Sequence, residues 1–407
     1  MLYKHQKDII EQNPFKRGIA FGCGAGKTLT SLYLAKDKGS VLVLAPKTQV
    51  LDMTWEREVE RIKLNFNITV ISKEKFKKGG INPYDVLILD EAHCFLGVTP
   101  TTRYKNKVEI PKTSQLFEEV CKWVAVHKPK AIYLCSATIM PTPLALWGIA
   151  KIFGTEWDYF AFRRRFYTFI PNIGRGIWVP KKDKDTEDEL VLLAKRFCTF
   201  GRLEDFFDVP DQVHKPITVG LSSPQIKALK EVPLLYPDPL VRVGKRHQIE
   251  QGVFEGEALD EYKASEIIEL AQEFDKILVF ARYTKQINEL SLKLAQKCKK
   301  HTVLLLTGET VDRRSLMVKA EEKGKKIIVI AQSQISTGYE LPSFRCTVFA
   351  SMSYSFVDYE QALGRTQRAN NISKNVYVYL LAGEVDKAVL KCVQSKKDFS
   401  ELLFKNE

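Results

Sequence analysis

Residues 21–28 read Phe-Gly-Cys-Gly-Ala-Gly-Lys-Thr, between a strand-like run that ends at Phe21 and a stretch with helical periodicity. Glycines let backbone N–H groups wrap phosphate oxygens without Cβ clashes, and the following helix directs its positive end at them. Lys27 would neutralise phosphate charge, and the Thr28 hydroxyl would hold Mg²⁺. The strict phosphate-loop pattern has glycine where this chain has Phe21, so a glycine-rich turn without ligand remains an alternative for this motif taken alone. The glycines concerned are Gly22, Gly24 and Gly26.

A second motif ends a buried strand with two carboxylates. Residues 84–93 read Tyr-Asp-Val-Leu-Ile-Leu-Asp-Glu-Ala-His. An uncompensated acidic pair at the end of an apolar strand is costly, and a metal ion removes that cost. We therefore expect Asp90 to hold Mg²⁺ and Glu91 to polarise the water that attacks a γ-phosphate. A pair that only caps a helix is the alternative, which Lys27 in the same half of the chain disfavours.

Composition and charge limit the class of protein. The 407 residues are 45% hydrophobic and 27% charged, which is typical of a folded globular chain and not of a disordered, collagen-like or coiled-coil one. Lys and Arg number 62 against 49 Asp and Glu, a net charge of +13. Such an excess attracts a polyanion, and nucleic acid is the first candidate, with a solvated basic surface as the alternative.

Targeting and cysteine signals favour a cytosolic protein. The apolar runs are strand-sized and fall short of the roughly 20 residues of a membrane span, so we expect no membrane partner. The first residues lack the pattern of a secretory leader. The eight cysteines include no Cys-x-x-Cys pair, so we expect reduced thiols without zinc or disulfides.

Strand-like and helix-like runs alternate in two stretches of the chain, which predicts two α/β lobes. Between about residues 167 and 263, prolines, glycines and charges interrupt the pattern. Two lobes joined in this way predict a ligand cleft between them. Strands are expected at Val41–Ala45, Asp85–Leu89, Ala131–Cys135, Ile277–Phe280, Thr302–Leu306, Lys326–Ile330, Thr347–Ala350 and Asn375–Leu380, and helices at Thr28–Lys38, Val50–Lys63 and Ser114–His127.

Further motifs give the chain a resemblance to the superfamily 2 helicases. Asp90-Glu91-Ala92-His93 corresponds to their acidic box, and Ser136-Ala137-Thr138 follows a later strand. Residues 336–340, Ser-Thr-Gly-Tyr-Glu, also follow a strand, and residues 361–368 match the signature Gln-x-x-Gly-Arg-x-x-Arg. The resemblance implies an α/β fold of two tandem RecA-like lobes, each a P-loop NTPase sheet of parallel strands flanked by helices. It also implies ATP and Mg²⁺ in the cleft between the lobes.

Within that superfamily the chain most resembles the Swi/Snf-like ATPases. Residues 2–6, Leu-Tyr-Lys-His-Gln, are similar to their glutamine motif, and residues 45–58 are similar to their motif Ia region. Residues 138–147 are similar to their extended motif III. The subgroup that the chain most resembles is the compact annealing-helicase, or fork-remodelling, subgroup. A protein this compact would suit a phage or a mobile element. Ala137-Thr138-Ile139 and Gly364-Arg365 depart from the family and keep the general superfamily 2 form.

The resemblance implies a role for each candidate residue. Gln6 would read adenine and Glu340 would contact ribose. Arg365 and Arg368 suit transition-state charge because a guanidinium is planar and permanently charged, with an exposed basic helix as the alternative. The catalytic candidates are Lys27, Glu91, Gln361, Arg365 and Arg368; the coupling candidates are His93, Ser136 and Thr138; the candidates along one nucleic-acid strand are Lys47, Thr48, Arg313, Ser336 and Thr337.

Two basic stretches lie outside the motifs. Arg163–Arg165 is the densest, and we rank a DNA-contacting surface slightly above a solvated helix face for it. Cys94–Lys112 is longer than the usual link after the acidic box and carries Arg103, Lys105 and Lys107. We expect a solvated loop there, with phosphate contact as the alternative.

The expected domains are a first lobe at residues 1–215, a linker or insertion at 216–262, and a second lobe at 263–407. The expected function is that of a DNA-stimulated ATPase that translocates on double-stranded or forked DNA. A strand-separating or branch-migrating helicase on DNA or RNA is the alternative, followed by a nucleotide-gated DNA-binding scaffold. We expect a monomer brought to DNA by a recruiting protein or by DNA shape. Its location would be the cytoplasm, with the nucleoid or in a host cell if viral.

Overall fold

The computed structural model describes residues 2–63, 67–105, 107–171, 176–310, 312–333, 339–371 and 373–403, without the side chains of residues 314 and 396–402. The chain divides into two compact units, one up to Phe206 with the described residues after 395, and one from Phe207 to Ser395. Among the helices of these ranges, none has the length and apolar character needed to cross a bilayer. The domain limits expected from the sequence remain a prediction.

Within the described residues, ten strands form the first unit's sheet and two hairpins. They are β1 (Lys16–Phe21), β2 (Val41–Ala45), β3 (Ile68–Ser72), β4 (Val86–Asp90), β5 (Val98–Lys105), β6 (Val108–Thr113), β7 (Ala131–Cys135), β8 (Tyr167–Ile170), β9 (Ile177–Pro180) and β10 (Cys198–Gly201). Six are parallel neighbours in the order β10-β1-β7-β4-β2-β3. Every residue of β2, β4 and β7 is buried, so both faces of this sheet are covered. The antiparallel hairpins are β5–β6 and β8–β9.

Helices connect these strands. They are α1 (Lys4–Gln12), α2 (Lys27–Ala35), α3 (Lys47–Leu51), α4 (Thr54–Ile62), α5 (Lys73–Lys77), α6 (Gln115–His127), α7 (Pro143–Ile152), α8 (Tyr159–Phe166) and α9 (Lys184–Phe197), with a short 3₁₀ helix at Ala92–Phe95. The side chain of Ser114 accepts a hydrogen bond from the N–H of Phe117 and so caps α6. The single helix expected at Val50–Lys63 is wrong: the chain breaks at Met53, whose φ of 50° is left-handed.

The second unit repeats the plan with another six-stranded parallel sheet. Its strands are β11 (Asp211–Thr218), β12 (Val253–Phe254), β13 (Glu257–Ala258), β14 (Lys276–Ala281), β15 (Thr302–Leu306), β16 (Ile327–Gln332), β17 (Cys346–Phe349) and β18 (Asn375–Ala382). The order is β11-β18-β17-β14-β16-β15, and β12–β13 is a separate hairpin. The two parallel-sheet units confirm the expected fold class of two tandem RecA-like lobes.

The helices of the second unit are α10 (Ser223–Leu235), α11 (Pro239–Glu250), α12 (Lys263–Glu273), α13 (Thr284–Lys297), α14 (Arg313–Glu321), α15 (Phe356–Leu363) and α16 (Glu384–Leu402). In the stretch where the sequence showed no period, the second unit has strand β11, helices α10 and α11 and the β12–β13 hairpin. Strand β11 tolerates Pro216 because it is the edge strand of its sheet, where a missing N–H breaks no ladder.

A buried charged cluster ties α11, α12 and α16 together in this unit. Asp386 accepts hydrogen bonds from Lys263 at 2.8 Å and from the side-chain amide of Gln251 at 2.9 Å, and it lies 3.0 Å from Nε2 of His247. The Tyr283 hydroxyl bonds the other ring nitrogen of His247 at 3.0 Å. Because Asp386 and Lys263 are almost fully buried, each stabilises the other's charge.

Candidate functional site

The glycine-rich loop forms a tight turn between β1 and α2. Gly24 and Gly26 have φ values of 87° and 79°, which L-residues with a side chain rarely adopt. A Cβ on Gly22 would lie 2.8 Å from the backbone nitrogen of Leu203, and one on Gly26 would lie 2.2 Å from the Gln6 amide nitrogen. The loop therefore requires glycine at these positions. Its backbone leads directly into the start of α2.

Phe21 explains the departure from the strict glycine pattern. It is the last residue of β1 and has strand geometry, so its position does not need the freedom of glycine. Its buried ring packs edge-on against His5 and Phe206, with centroid separations of 5.1 and 5.5 Å. The aromatic side chain thus anchors the loop in the first unit's core.

Gln6 lies against the same loop. Its amide nitrogen donates to the carbonyl oxygen of Gly26 at 3.2 Å, and its amide oxygen accepts from the N–H of Tyr3 at 2.9 Å. The residue is buried, which is unusual for glutamine. The structure therefore places the predicted adenine-reading residue beside the predicted phosphate loop.

Lys27 and Asp90 face each other across the end of the sheet. The Lys27 ammonium donates to the carbonyl oxygens of Phe21 and Gly22 at 3.0 and 3.2 Å, and its charge favours the ionised form of Asp90. Burial, reinforced by the Glu91 charge, nevertheless raises the pKa of Asp90 to about 7. The Asp90 carboxylate accepts hydrogen bonds from the Trp55 indole at 3.1 Å and from the N–H of Glu91 at 2.9 Å.

Glu91 and His93 form a chain of contacts that leads from Asp90 to Ser136. Glu91 has a left-handed φ of 49°, an uncommon conformation for a residue with a side chain, and its carboxylate lies 3.5 Å from Nδ1 of His93. The same nitrogen of His93 lies 2.9 Å from the Ser136 hydroxyl, which accepts from the N–H of Thr138 at 3.2 Å. The three predicted coupling residues therefore form one connected group.

Strand order brings these motifs to one edge. β7 lies between β1 and β4, and all three strands run parallel. The glycine-rich loop follows β1, the acidic box follows β4, and Ser136 follows β7. Because the carboxyl ends of parallel strands share an edge, three motifs far apart in sequence form one site, as is usual for ligand sites in α/β sheets.

The candidates of the second unit form their own group. Arg365 donates to the carbonyl oxygens of Gln361 and Tyr339 at 2.9 and 2.7 Å, and Arg368 pairs with Glu340 at 3.4 Å. Gln361 and both arginines are buried, while Glu340 is more than half exposed. The backbone of Leu341 also bonds the carbonyl oxygen of Arg365. An exposed basic helix, the alternative for these arginines, does not describe them.

The nucleic-acid candidates are only partly described. Lys47 and Thr48 begin α3 directly after β2, so they lie at the same sheet edge as the glycine-rich loop. Arg313 begins α14 and donates to the carbonyl oxygen of Thr307 at 3.4 Å. Ser336 and Thr337 lie outside the described residues.

The basic stretch Arg163–Arg165 differs from expectation, and Trp55 makes a contact that no motif indicated. Arg163 is buried rather than presented to DNA: its guanidinium lies 4.2 Å from the Trp178 ring centroid and donates to the carbonyl oxygen of Pro100 at 2.9 Å. Arg165 pairs with Glu189. Trp55 is fully buried in the core and also donates a hydrogen bond to Asp90. No sequence signal distinguishes that second role, because a core tryptophan and a carboxylate-binding one look alike.

Residues 262–370 match the family model described as the helicase conserved C-terminal domain. The match includes strands β14, β15, β16 and β17 of the second unit's sheet and the residues from Glu340 to Arg368. It spans about a quarter of the chain.

Curated relatives are similar over short stretches. The chain is 27% identical over 95 residues to the pre-mRNA-splicing ATP-dependent RNA helicase PRP28 of Debaryomyces hansenii, covering 23% of this chain and 16% of that protein. It is 22% identical over 161 residues to the transcript termination protein A18 of vaccinia virus (strain Ankara), covering 34% of this chain and 29% of that protein. The chain thus spans less than a third of either relative.

A solved structure, the Sulfolobus solfataricus SWI2/SNF2 ATPase core in complex with dsDNA, is similar over 99% of this chain and 92% of that chain. The sequence identity is 18% and the TM-score is 0.41.

Proposed function

We propose that the protein is a nucleic-acid-stimulated ATPase motor of the Swi/Snf-like type that translocates on double-stranded or forked DNA. One observation carries the ATPase part of this proposal. Lys27, the Asp90–Glu91 pair and the hydrogen-bonded group of His93, Ser136 and Thr138 follow three neighbouring parallel strands at one sheet edge. A phosphate-binding loop beside a buried acidic pair is the arrangement that nucleotide hydrolysis requires.

Substrate binding falls to the glycine-rich loop and Lys27. Backbone N–H groups at the start of α2 would bind the phosphates of ATP, since the helix directs its positive end at the loop. The Lys27 ammonium would leave the carbonyl oxygens of Phe21 and Gly22 and neutralise phosphate charge. Gln6, packed on Gly26, would bind the adenine edge.

The donor set at the acidic box suits Mg²⁺. Thr28 and Asp90 offer hard oxygen ligands, and the raised pKa of Asp90 reflects two buried carboxylates that a divalent cation would stabilise in their charged form. When bound, Mg²⁺ would neutralise the charge of the β- and γ-phosphates. Trp55 and the N–H of Glu91 orient the Asp90 carboxylate for this purpose.

Glu91 would act as the base that orients and deprotonates the attacking water. Its left-handed backbone turns the side chain out of the strand direction, and His93 at 3.5 Å restricts where its carboxylate points. Such strain at a candidate catalytic residue is a reason to assign it a function. The roles of Gln361, Arg365 and Arg368 in stabilising transition-state charge rest on the resemblance.

Coupling to nucleic acid would pass through His93. Its ring joins the base candidate Glu91 to Ser136 and, through that hydroxyl, to the backbone of Thr138. A change at the γ-phosphate that moves Glu91 would therefore move the segment after β7. This is a physical path for nucleotide state to reach a nucleic-acid surface.

Net charge and motif similarity support DNA as the partner, and RNA is the alternative. The charge of +13 favours any nucleic acid, and the Swi/Snf-like motifs favour duplex DNA. One relative is named as an RNA helicase, so RNA is included in the test.

ATP turnover by the purified chain tests the proposal. We would measure it without nucleic acid and with single-stranded DNA, blunt duplex, forked duplex and RNA, with Lys27→Ala as the blank. Stimulation by duplex or forked DNA that is lost in the blank is the expected result. Stimulation by single strands or RNA alone would replace the translocase with a conventional helicase, and absence of turnover would leave a nucleotide-gated scaffold.

A further inference from the structure

A groove beside the β5–β6 hairpin combines a largely apolar lining with several basic side chains. The groove has a volume of about 310 Å³ and lies between the hairpin and helices α6 and α7. Four basic side chains line it, with Ile110, Phe117 and Trp147 among its apolar lining. The basic residues are Arg103, Lys105, Lys122 and Lys151. None of the helicase motifs supplies any of them.

The hairpin is anchored, which contradicts the solvated loop expected at Cys94–Lys112. Val98 is buried at its base, and the Tyr159 hydroxyl donates to the carbonyl oxygen of Thr99 at 2.6 Å. Buried Arg163 donates to the carbonyl oxygen of Pro100 at 2.9 Å. Helix α8 therefore holds the base of the hairpin. This anchoring fixes the position of the outer part of the hairpin, which carries the basic side chains.

Strand alternation separates the hairpin's charges onto two faces. Arg103 pairs across the ladder with Ile110, and Lys105 pairs with Val108, so these positions share the groove face. Glu109 pairs with Tyr104 on the other face and accepts a hydrogen bond from Thr102. The hairpin's own acidic residue thus points away from the groove.

Two of the groove's cations lack a counter-charge. The acidic residue that lines it, Glu118, is already engaged by Arg103 and by the Thr113 hydroxyl. Lys122 pairs with Glu119. Across the described part of the chain, the ammonium groups of Lys105 and Lys151 form no ion pair or hydrogen bond, and both side chains are exposed. An anion that enters the groove would pair with both.

The groove's position suggests which anion. The hairpin begins three residues after Phe95, at the end of the 3₁₀ helix that follows the acidic box. It therefore emerges from the sheet edge that carries Lys47 and the glycine-rich loop, and the groove extends from the hairpin along α6 and α7 to Lys151 in the last turn of α7. A polyanion with regularly spaced phosphates fits basic side chains distributed over a hairpin and two helices.

We propose that this groove binds the phosphate backbone of one unpaired nucleic-acid strand, outside the helicase motifs. The inference rests on the proposed function and adds a second contact to it. One strand is favoured over a duplex because the groove volume of about 310 Å³ is small, and its apolar floor at Phe117 and Trp147 suits a sugar and an unstacked base beside the phosphates. Such a site would retain one strand at a fork or at the end of a duplex.

The test is the double variant Lys105→Gln, Lys151→Gln, which removes charge and keeps side-chain length. Binding of labelled single-stranded, blunt duplex and forked DNA would be measured by fluorescence anisotropy across a salt series. Each lost contact on a single strand reduces the salt slope by about 0.7, so the slope should become shallower by about 1.4 and affinity should fall about 25-fold at 0.1 M salt. ATP turnover without nucleic acid should not change, which also reports correct folding.

The matched control is Lys36→Gln, Lys128→Gln. Both lysines are exposed, follow the C-terminal ends of α2 and α6, lie outside the lining of the groove, and alter net charge equally. The control should bind every DNA as the unmodified protein does.

Four outcomes would overturn the inference. Unchanged single-strand affinity in the Lys105–Lys151 variant would contradict DNA binding by the groove but not the proposed function. An equal loss in the control would mean that only net charge matters, and a loss confined to blunt duplex would contradict the single-strand assignment. If the unmodified protein bound no nucleic acid but bound polyglutamate through these lysines, both this inference and the proposed function would fail.

Discussion

The Ser136 hydroxyl lies 2.9 Å from Nδ1 of His93, which joins the end of β7 to the acidic box that follows β4. The two residues are 43 positions apart in sequence and adjacent because their strands are neighbours. Glu91 approaches the same ring nitrogen at 3.5 Å. His93 is therefore the point at which the candidate base and the segment leading to Thr138 meet.

Ser136→Ala should uncouple nucleic acid from ATP turnover. The variant should bind ATP normally and lose about tenfold of the stimulation by DNA, within the usual range of coupling energies between sites. His93→Ala should do the same, and the double variant should be no worse than either single one, since both remove one link. Additive losses in turnover assays with and without DNA would contradict a shared path.

Gly26→Ala should weaken ATP binding by about tenfold or more. The left-handed φ costs an L-residue about 1–2 kcal/mol, and the new Cβ would lie 2.2 Å from the Gln6 amide nitrogen. Gly80→Ala is the matched control: its φ of 74° imposes similar strain, but a Cβ there meets no atom within 4 Å. Calorimetric titration with ATP separates the two, and equal affinities would argue against the Gln6–Gly26 contact.

Trp55→Phe should impair the use of Mg²⁺ more than it impairs folding. The change keeps the aromatic bulk and removes the donor to Asp90, so the free energy of unfolding should fall by about 1–2 kcal/mol while the Mg²⁺ concentration for half-maximal turnover rises. Trp123→Phe removes a comparable donor, to the carbonyl oxygen of Ile81 at 3.3 Å, away from the acidic box. A Mg²⁺ dependence that is identical in both variants would assign Trp55 to the core alone.

Asp386→Asn should strongly destabilise the second unit and alter its acid sensitivity. Burial alone would raise the pKa of Asp386, but Lys263 and His247 outweigh it and hold that pKa well below its usual range. The folded chain therefore binds fewer protons at this site than the unfolded chain, so the stabilisation is complete above about pH 4 and is lost as pH falls below it. Glu250, Tyr283 and Tyr354 also face this cluster.

In the variant, the buried Lys263 charge loses its partner, and the free energy of unfolding should fall by about 3–5 kcal/mol at pH 7. Urea unfolding between pH 3 and 7 measures both effects. The variant should show a smaller loss of stability on acidification than the unmodified protein, and parallel pH curves would contradict the assigned role of Asp386.

Central strands were predictable because burial on both faces leaves nearly continuous apolar runs, as in Val41–Ala45 and Ala131–Cys135. The hairpin β5–β6 was not, since both its faces are largely polar and Pro100 and Pro111 interrupt it. Strand β11 was not predicted for a related reason: Pro216 interrupts its sequence pattern, although an edge strand accommodates a proline.

At the site, motif spacing predicted which residues matter, and strand order was needed to bring them together. Nothing local in the sequence indicates that Trp55 reaches Asp90, which is 35 positions away, or that Arg163 turns inward onto Trp178. Both depend on tertiary packing, which overrides the local pattern of charge and hydrophobicity.

The central claim is that this sheet edge hydrolyses ATP with Glu91 as the base. The most direct measurement compares ATP affinity and ATP turnover in Glu91→Gln with those in the unmodified protein, with saturating Mg²⁺ and duplex DNA. The account predicts retained ATP binding and turnover reduced by about 100-fold or more, the usual contribution of a general base. Turnover at the unmodified rate, in a variant that binds ATP normally, would contradict it.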